Sequence, residues 1–120
     1  MSLEYIHNCD YEIHRGCSED LMIRIKRADN TDYVYKNGDK VYLAVTKDRT
    51  REGKVFQVEL TWNQELQRFV GEFTPEQTSQ LNGDGIYYMD AKLVTSSKVW
   101  PALEMKSLYV IPDAATIPNS

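Results

Sequence analysis

Glu59 and Glu72 are the carboxylates of this 120-residue sequence that come closest to a catalytic pair. If residues 56–62 fold back on 69–73 as a hairpin, the two side chains can face one another, and two facing carboxylates are what glycoside hydrolysis requires. Both occupy the polar positions of alternating runs, however, so the pattern favours a solvated outer face. Asp90 shares the outward parity of Tyr88 and Lys92, which suits pairing with a lysine or a turn amide better than service as a base. Asp29, Asn30 and Asp32 resemble the opening of a calcium loop, but the acidic order, the sixth-position glycine and the closing glutamate are missing, so a turn is expected. Gly83-Asp84-Gly85 is too short to cradle a phosphate. Cys9 and Cys17, with His7 and His14 nearby, do not make a zinc-ligand spacing, and nothing around them favours cysteine–histidine catalysis. They read as reduced thiols in or beside strands, with a disulfide across a first turn as the other reading if their Cα atoms approach within about 7 Å. No nucleophile elbow, zinc-protease or nucleotide-loop motif occurs. The expectation is a protein without catalytic residues, metal or cofactor, and not an enzyme.

The aromatic residues carry more of a signal. Eight tyrosines and two tryptophans are many for this length. Trp62, Trp100, Tyr42 and Tyr88 suit three roles: a platform stacking on sugar rings, anchors of a protein interface, or core-edge residues of a β protein. Tyr42, Tyr88 and Trp100 are the candidate contact residues, with Trp62 the fourth.

Composition narrows the partners. The net charge is −4 and the pI about 5.1, without the basic excess of a general nucleic-acid binder. The run Lys47, Arg49, Arg51 and Lys54 is interrupted by Asp48 and Glu52 and reads as a solvated loop. No apolar run approaches the roughly 18 residues of a membrane-spanning helix, and the N-terminus lacks the pattern of an export signal.

These residues must be positioned by strands. Leu21/Ile23/Ile25, Val41/Leu43/Val45, Phe56/Val58/Leu60/Trp62, Phe69/Gly71/Phe73 and Tyr87/Met89/Ala91/Leu93 each alternate with polar or smaller neighbours. Tyr11 and Ile13 suggest a further strand, and 99–103 and 107–111 two weaker ones. Asn- and Gly-rich turns such as Asn37-Gly38 and Asn82-Gly83 separate the runs. Thr74-Pro75-Glu76-Gln77 has the cap, the first-turn proline and the returning glutamine of a helix start. The expected fold is all-β: an immunoglobulin-like β-sandwich of about seven to eight strands, with one short helical turn near 75–81 and Leu81 tucked over one end. Residues 1–112 form the single domain, and 113–120 a flexible tail.

The C-terminal part, about 73–116, resembles a pattern of phage and prophage structural proteins. Its elements are Phe73-Thr74-Pro75-Glu76-Gln77-Thr78, then Gly85-Ile86-Tyr87-Tyr88-Met89-Asp90, then Val110-Ile111-Pro112-Asp113 with Thr116. Similar patterns occur in small immunoglobulin-like domains of tail and baseplate components, including N-terminal domains of baseplate upper proteins. The family often has a glycine before the last strand where Met105-Lys106-Ser107 stands here. The resemblance implies a virion structural module docking on other tail proteins or on itself, through a sheet face or a strand edge. It also implies location in the bacterial cytoplasm during assembly and then in the virion. Neither nucleic acid nor membrane insertion is expected. The alternatives are a carbohydrate-binding module of a host-recognition device and, third, a carboxylate-dependent hydrolase.

Overall fold

The computed structural model describes residues 9–27, 29–50 and 52–113. Seven strands and one short helix follow in order: β1 (Tyr11–His14), β2 (Glu19–Ile23), β3 (Lys40–Thr46), β4 (Lys54–Asn63), β5 (Arg68–Phe73), α1 (Pro75–Thr78), β6 (Ile86–Val94) and β7 (Val99–Ile111). The lateral order is β1-β7-β6-β3-β4-β5-β2. Every pairing is antiparallel except β1 on β7, where Tyr11 lies beside Leu108 and His14 beside Ile111.

The strand β4 turns this single ladder into two layers. Its first part, from Lys54 to Leu60, pairs with β3, and its last three residues, Thr61 to Asn63, pair with β5. A larger layer (β1, β7, β6, β3, β4) therefore curls over a smaller one (the end of β4, β5, β2), giving a nearly closed, sandwich-like all-β fold. Alternation explains what fills it. Val41, Leu43 and Val45 of β3, Phe56 and Leu60 of β4, and Tyr87, Met89, Ala91 and Leu93 of β6 are buried on the inner face, against Phe69 and Phe73 of β5. Burying one such side chain stabilises the fold by roughly 1.5–3 kcal/mol.

The link from β5 to β6 is built as the sequence indicates. Thr74 accepts a hydrogen bond from the Gln77 amide, and the Gln77 side chain accepts one from the Thr74 amide, closing a capping box over Pro75. The helix is one turn, and further turn bonds carry the chain to the buried Leu81. From there the chain enters β6 through a tight corner. The buried Tyr87 hydroxyl accepts from the Asn82 amide at 2.9 Å, the tyrosine-corner bond typical of immunoglobulin-like sandwiches. Glycines are required here: a Cβ on Gly83 would lie 2.7 Å from Pro112, and one on Gly85 2.7 Å from the Asn82 carbonyl. Arg15 spans the same end, donating to the carbonyls of Leu81 and Ser79 and to Asp113. The architecture is the all-β, sandwich-like fold expected, with seven strands and one short helix.

The structure corrects one expectation and decides between the readings left open for the two cysteines and the two glutamates. The runs 99–103 and 107–111 are one strand, β7. Two irregularities opposite Met89, Ala91 and Lys92, at each of which β7 advances one residue more than β6, absorb the weak pattern between them. Cys9 and Cys17 are free thiols, as the favoured reading had them, and the disulfide alternative is not formed. Asp113, the first residue of the expected tail, is tied to Arg15; the rest of that segment, 114–120, lies outside the described residues. Glu59 and Glu72 do not face each other, because β4 leaves β5 beyond the Thr61–Val70 pair. Glu59 lies beside Tyr42 and within 3.6 Å of the Lys40 ammonium, whereas Glu72 lies opposite Asp20.

Candidate functional site

One end of the sandwich gathers the loop from β2 to β3 and the turns from β4 to β5 and from β6 to β7. The long β2–β3 loop is held by its own polar groups. The Asp29 carboxylate accepts from the amide and hydroxyl of Thr31, and Asp32 pairs with Arg24 at 3.0 Å. These contacts make 29–32 the plain turn its sequence suggested, with Asn30 at φ 69°. The loop then runs back across the end of the core with Tyr33 and Tyr35 turned inward. Tyr35 stacks on Trp62 with centroids 5.2 Å apart, and Tyr33 meets Trp62 and Phe69 at their edges. Aromatic contacts of this kind contribute about 0.5–1.5 kcal/mol each beyond burial.

The Tyr33 hydroxyl donates to the buried Asp39 carboxylate, which also accepts from the Lys36 amide. Burial, and then the Asp39 bond, push the Tyr33 hydroxyl well above the ordinary tyrosine range. With both tyrosines pointing in, Val34 between them must point out, and it is 59% exposed.

The β6–β7 turn meets this loop. Thr95 closes it, its hydroxyl accepting from the Lys98 amide and donating to the Lys98 carbonyl. Just beyond lie Val99 and Trp100, 61% and 49% exposed. The Lys98 ammonium sits 5.3 Å from the centre of the Trp100 ring. A shallow cleft of about 270 Å³ joins Val34 and Trp100, bordered by Arg27, Lys36 and Lys98. On an acidic protein this end is basic and apolar. Its cleft brings together the Trp100 indole, Val34 and the cationic side chains of Arg27, Lys36 and Lys98.

The other aromatic candidates lie elsewhere. Tyr42 and Tyr88 are half-buried on the outer face of the larger layer, Tyr42 between Glu59 and Lys92, Tyr88 opposite Thr46 and Ser107. Four residues of strand, roughly 13 Å, part them along the sheet. The Arg49 guanidinium covers the Tyr88 ring at 5.2 Å. Trp62 is half-buried in the cluster with Tyr33, Tyr35 and Phe69, and its indole N–H donates to Gln64. The structure thus does not bring the four together. A sugar platform of Trp62 and Trp100 is not formed, since Tyr35 covers a face of Trp62 and Trp100 stands apart.

A second cleft, of about 350 Å³, opens where the ladder fails to close, between β1 and β2. Its walls are apolar, including Leu43, Phe73 and Met89, and Glu12, Glu19 and Asp20 stand along it. No histidine, serine or cysteine lines it among the described residues. Neither Glu59 nor Glu72 reaches it.

The sequence reading passed over Val34, Lys36 and Lys98. The inward pair Tyr33/Tyr35 was the signal for Val34, masked by a loop that has too few turns of alternation to reveal it.

The fold is a small, nearly closed, sandwich-like all-β domain. No protein-family model matches the chain, and no curated protein sequence matches it. No helix among the described residues is long and apolar enough to cross a membrane, and no group of three or more potential metal ligands occurs among them.

Proposed function

We propose that the chain is a non-enzymatic docking module of a larger assembly, and more specifically a tail or baseplate component of a phage or prophage. The observation that carries the docking reading is Trp100, half exposed beside exposed Val34 and Val99 and ringed by lysines. Exposed tryptophan with a charged rim is the composition of an interface anchor. Glu59 and Glu72, the pair from which the hydrolase reading came, are held apart.

The phage assignment rests on the motif at 73–116, and its residues have visible tasks. Thr74 caps α1, Gly85 and Tyr87 make the corner, and Asp113 holds Arg15. The pattern is therefore a signature of how this sandwich is closed, and it supports origin only through the company such corners keep.

The test is binding of the purified chain to purified products of the genes that flank its own. Docking predicts a stable complex with at least one, weakened about tenfold or more by Trp100→Ala. Binding to none, in a genomic setting without virion genes, would remove both the docking and the phage reading.

A further inference from the structure

The outer face of the smaller layer carries a second patch whose chemistry is the inverse of the Trp100 end. Met22 is 50% and Leu66 49% exposed, and with Val70 they line a shallow groove of about 420 Å³ bordered by Asp20 and Glu72. Asp20 and Glu72 are direct cross-strand partners. Like charges placed opposite each other destabilise a strand pair, so this arrangement costs the isolated chain stability that a cation from outside would return. At the other end of the same face stands Arg68, bonded to the Met22 sulfur at 3.1 Å. The groove is thus acidic at one end and apolar beyond it, with the Arg68 guanidinium held against Met22.

We infer that the occupant of this groove is the Trp100 end of a second copy of the chain. Trp100 would lie on Met22, Leu66 and Val70, with Lys36 and Lys98 directed to Asp20 and Glu72. Arg68 opposes the reversed orientation by repulsion. The acids of the Trp100 end do not compete for these lysines: Asp39 is bonded to Tyr33, Asp32 to Arg24, and Asp29 to Thr31. The two surfaces are different and complementary, so the contact is head-to-side. A pair of copies keeps one free head and one free groove, so further copies add into a ring or an open row. A stable contact needs about 1,200 Å² of buried surface, so the loops flanking both patches must take part.

Self-docking of this kind presupposes that the chain is a docking module. Velocity sedimentation of the full chain at rising concentration tests it, with thermal unfolding as a folding control, since all four charged residues are exposed. The wild type associates beyond a dimer, and Trp100→Ala raises the dissociation constant about tenfold or more. Lys36→Glu with Lys98→Glu gives a monomer, having an acidic head and an acidic groove. Asp20→Lys with Glu72→Lys gives a monomer for the opposite reason. Mixing the two folded variants restores association, because each head now matches the other's groove. A wild type that is monomeric up to about 1 mM, or a mixture that stays monomeric, overturns the inference. A monomer that still binds a flanking gene product overturns self-docking alone and leaves the docking function standing.

Discussion

The two ends of the sandwich are made on opposite terms. At the corner end, polar groups are spent inside the molecule: Arg15 on Leu81, Ser79 and Asp113, Tyr87 on Asn82, Thr78 on the Cys17 carbonyl. Glycines there are packed so closely that a methyl group has no room. At the Trp100 end the interior is equally well tied, through Tyr33, Tyr35 and Asp39. Its outward side chains, however, include the exposed Val34, Val99 and Trp100, with the Lys98 ammonium over the Trp100 ring. One end closes the fold and the other faces outward, and sequence motifs are richest where closure is demanding.

Substitutions can break that comparison. The largest effect is expected for Leu81→Ala, which empties a site that is 1% exposed and costs about 2–5 kcal/mol in urea unfolding. Tyr87→Phe orphans the Asn82 amide at the corner and costs about 1–3 kcal/mol. If it proves as mild as a surface change, the corner is not the lock described here.

Tyr33→Phe sharpens the contrast through pH. Because the folded-state pKa of Tyr33 lies above that of the unfolded chain, its contribution is complete below about pH 10. It is lost as pH rises beyond that toward the folded value. Unfolding followed from pH 8 to 11 should show the wild type losing stability at the alkaline end, and the variant losing less. The variant is weaker overall at neutral pH, since Asp39 stays buried with one partner fewer. Trp100→Ala is the smallest: its stability should stay within about 0.5 kcal/mol of wild type while association falls. A larger loss would mean that Trp100 belongs to the core.

Much of the architecture was legible because alternation is local. Val41/Leu43/Val45 and Tyr87/Met89/Ala91/Leu93 announce buried strand faces without any knowledge of their partners, and the capping box at 74–77 is complete within four residues. Trp62 shares the parity of Phe56 and Leu60, which already placed it inward. What was not legible depends on distant pairing. The passage of β4 from one layer to the other separates Glu59 from Glu72, and no local pattern records it. The continuity of β7 through its weak middle is imposed by β6 alongside. Val34, Lys36 and Lys98 belong to a surface assembled from two turns far apart in the chain, and neither turn has a signature of binding.

The irregular course of β7 has one more consequence. Among the described residues, β1 pairs with β7 only from Leu108 onward, and an open strand edge along the first half of β7 would invite indiscriminate fibril growth. Pro101 has no amide hydrogen to offer, and the two offsets bend the backbone away from a straight template. Across the seam, β2 is short and turns Glu19 inward beside Phe73. Runaway cross-β stacking between exposed edges is thereby discouraged.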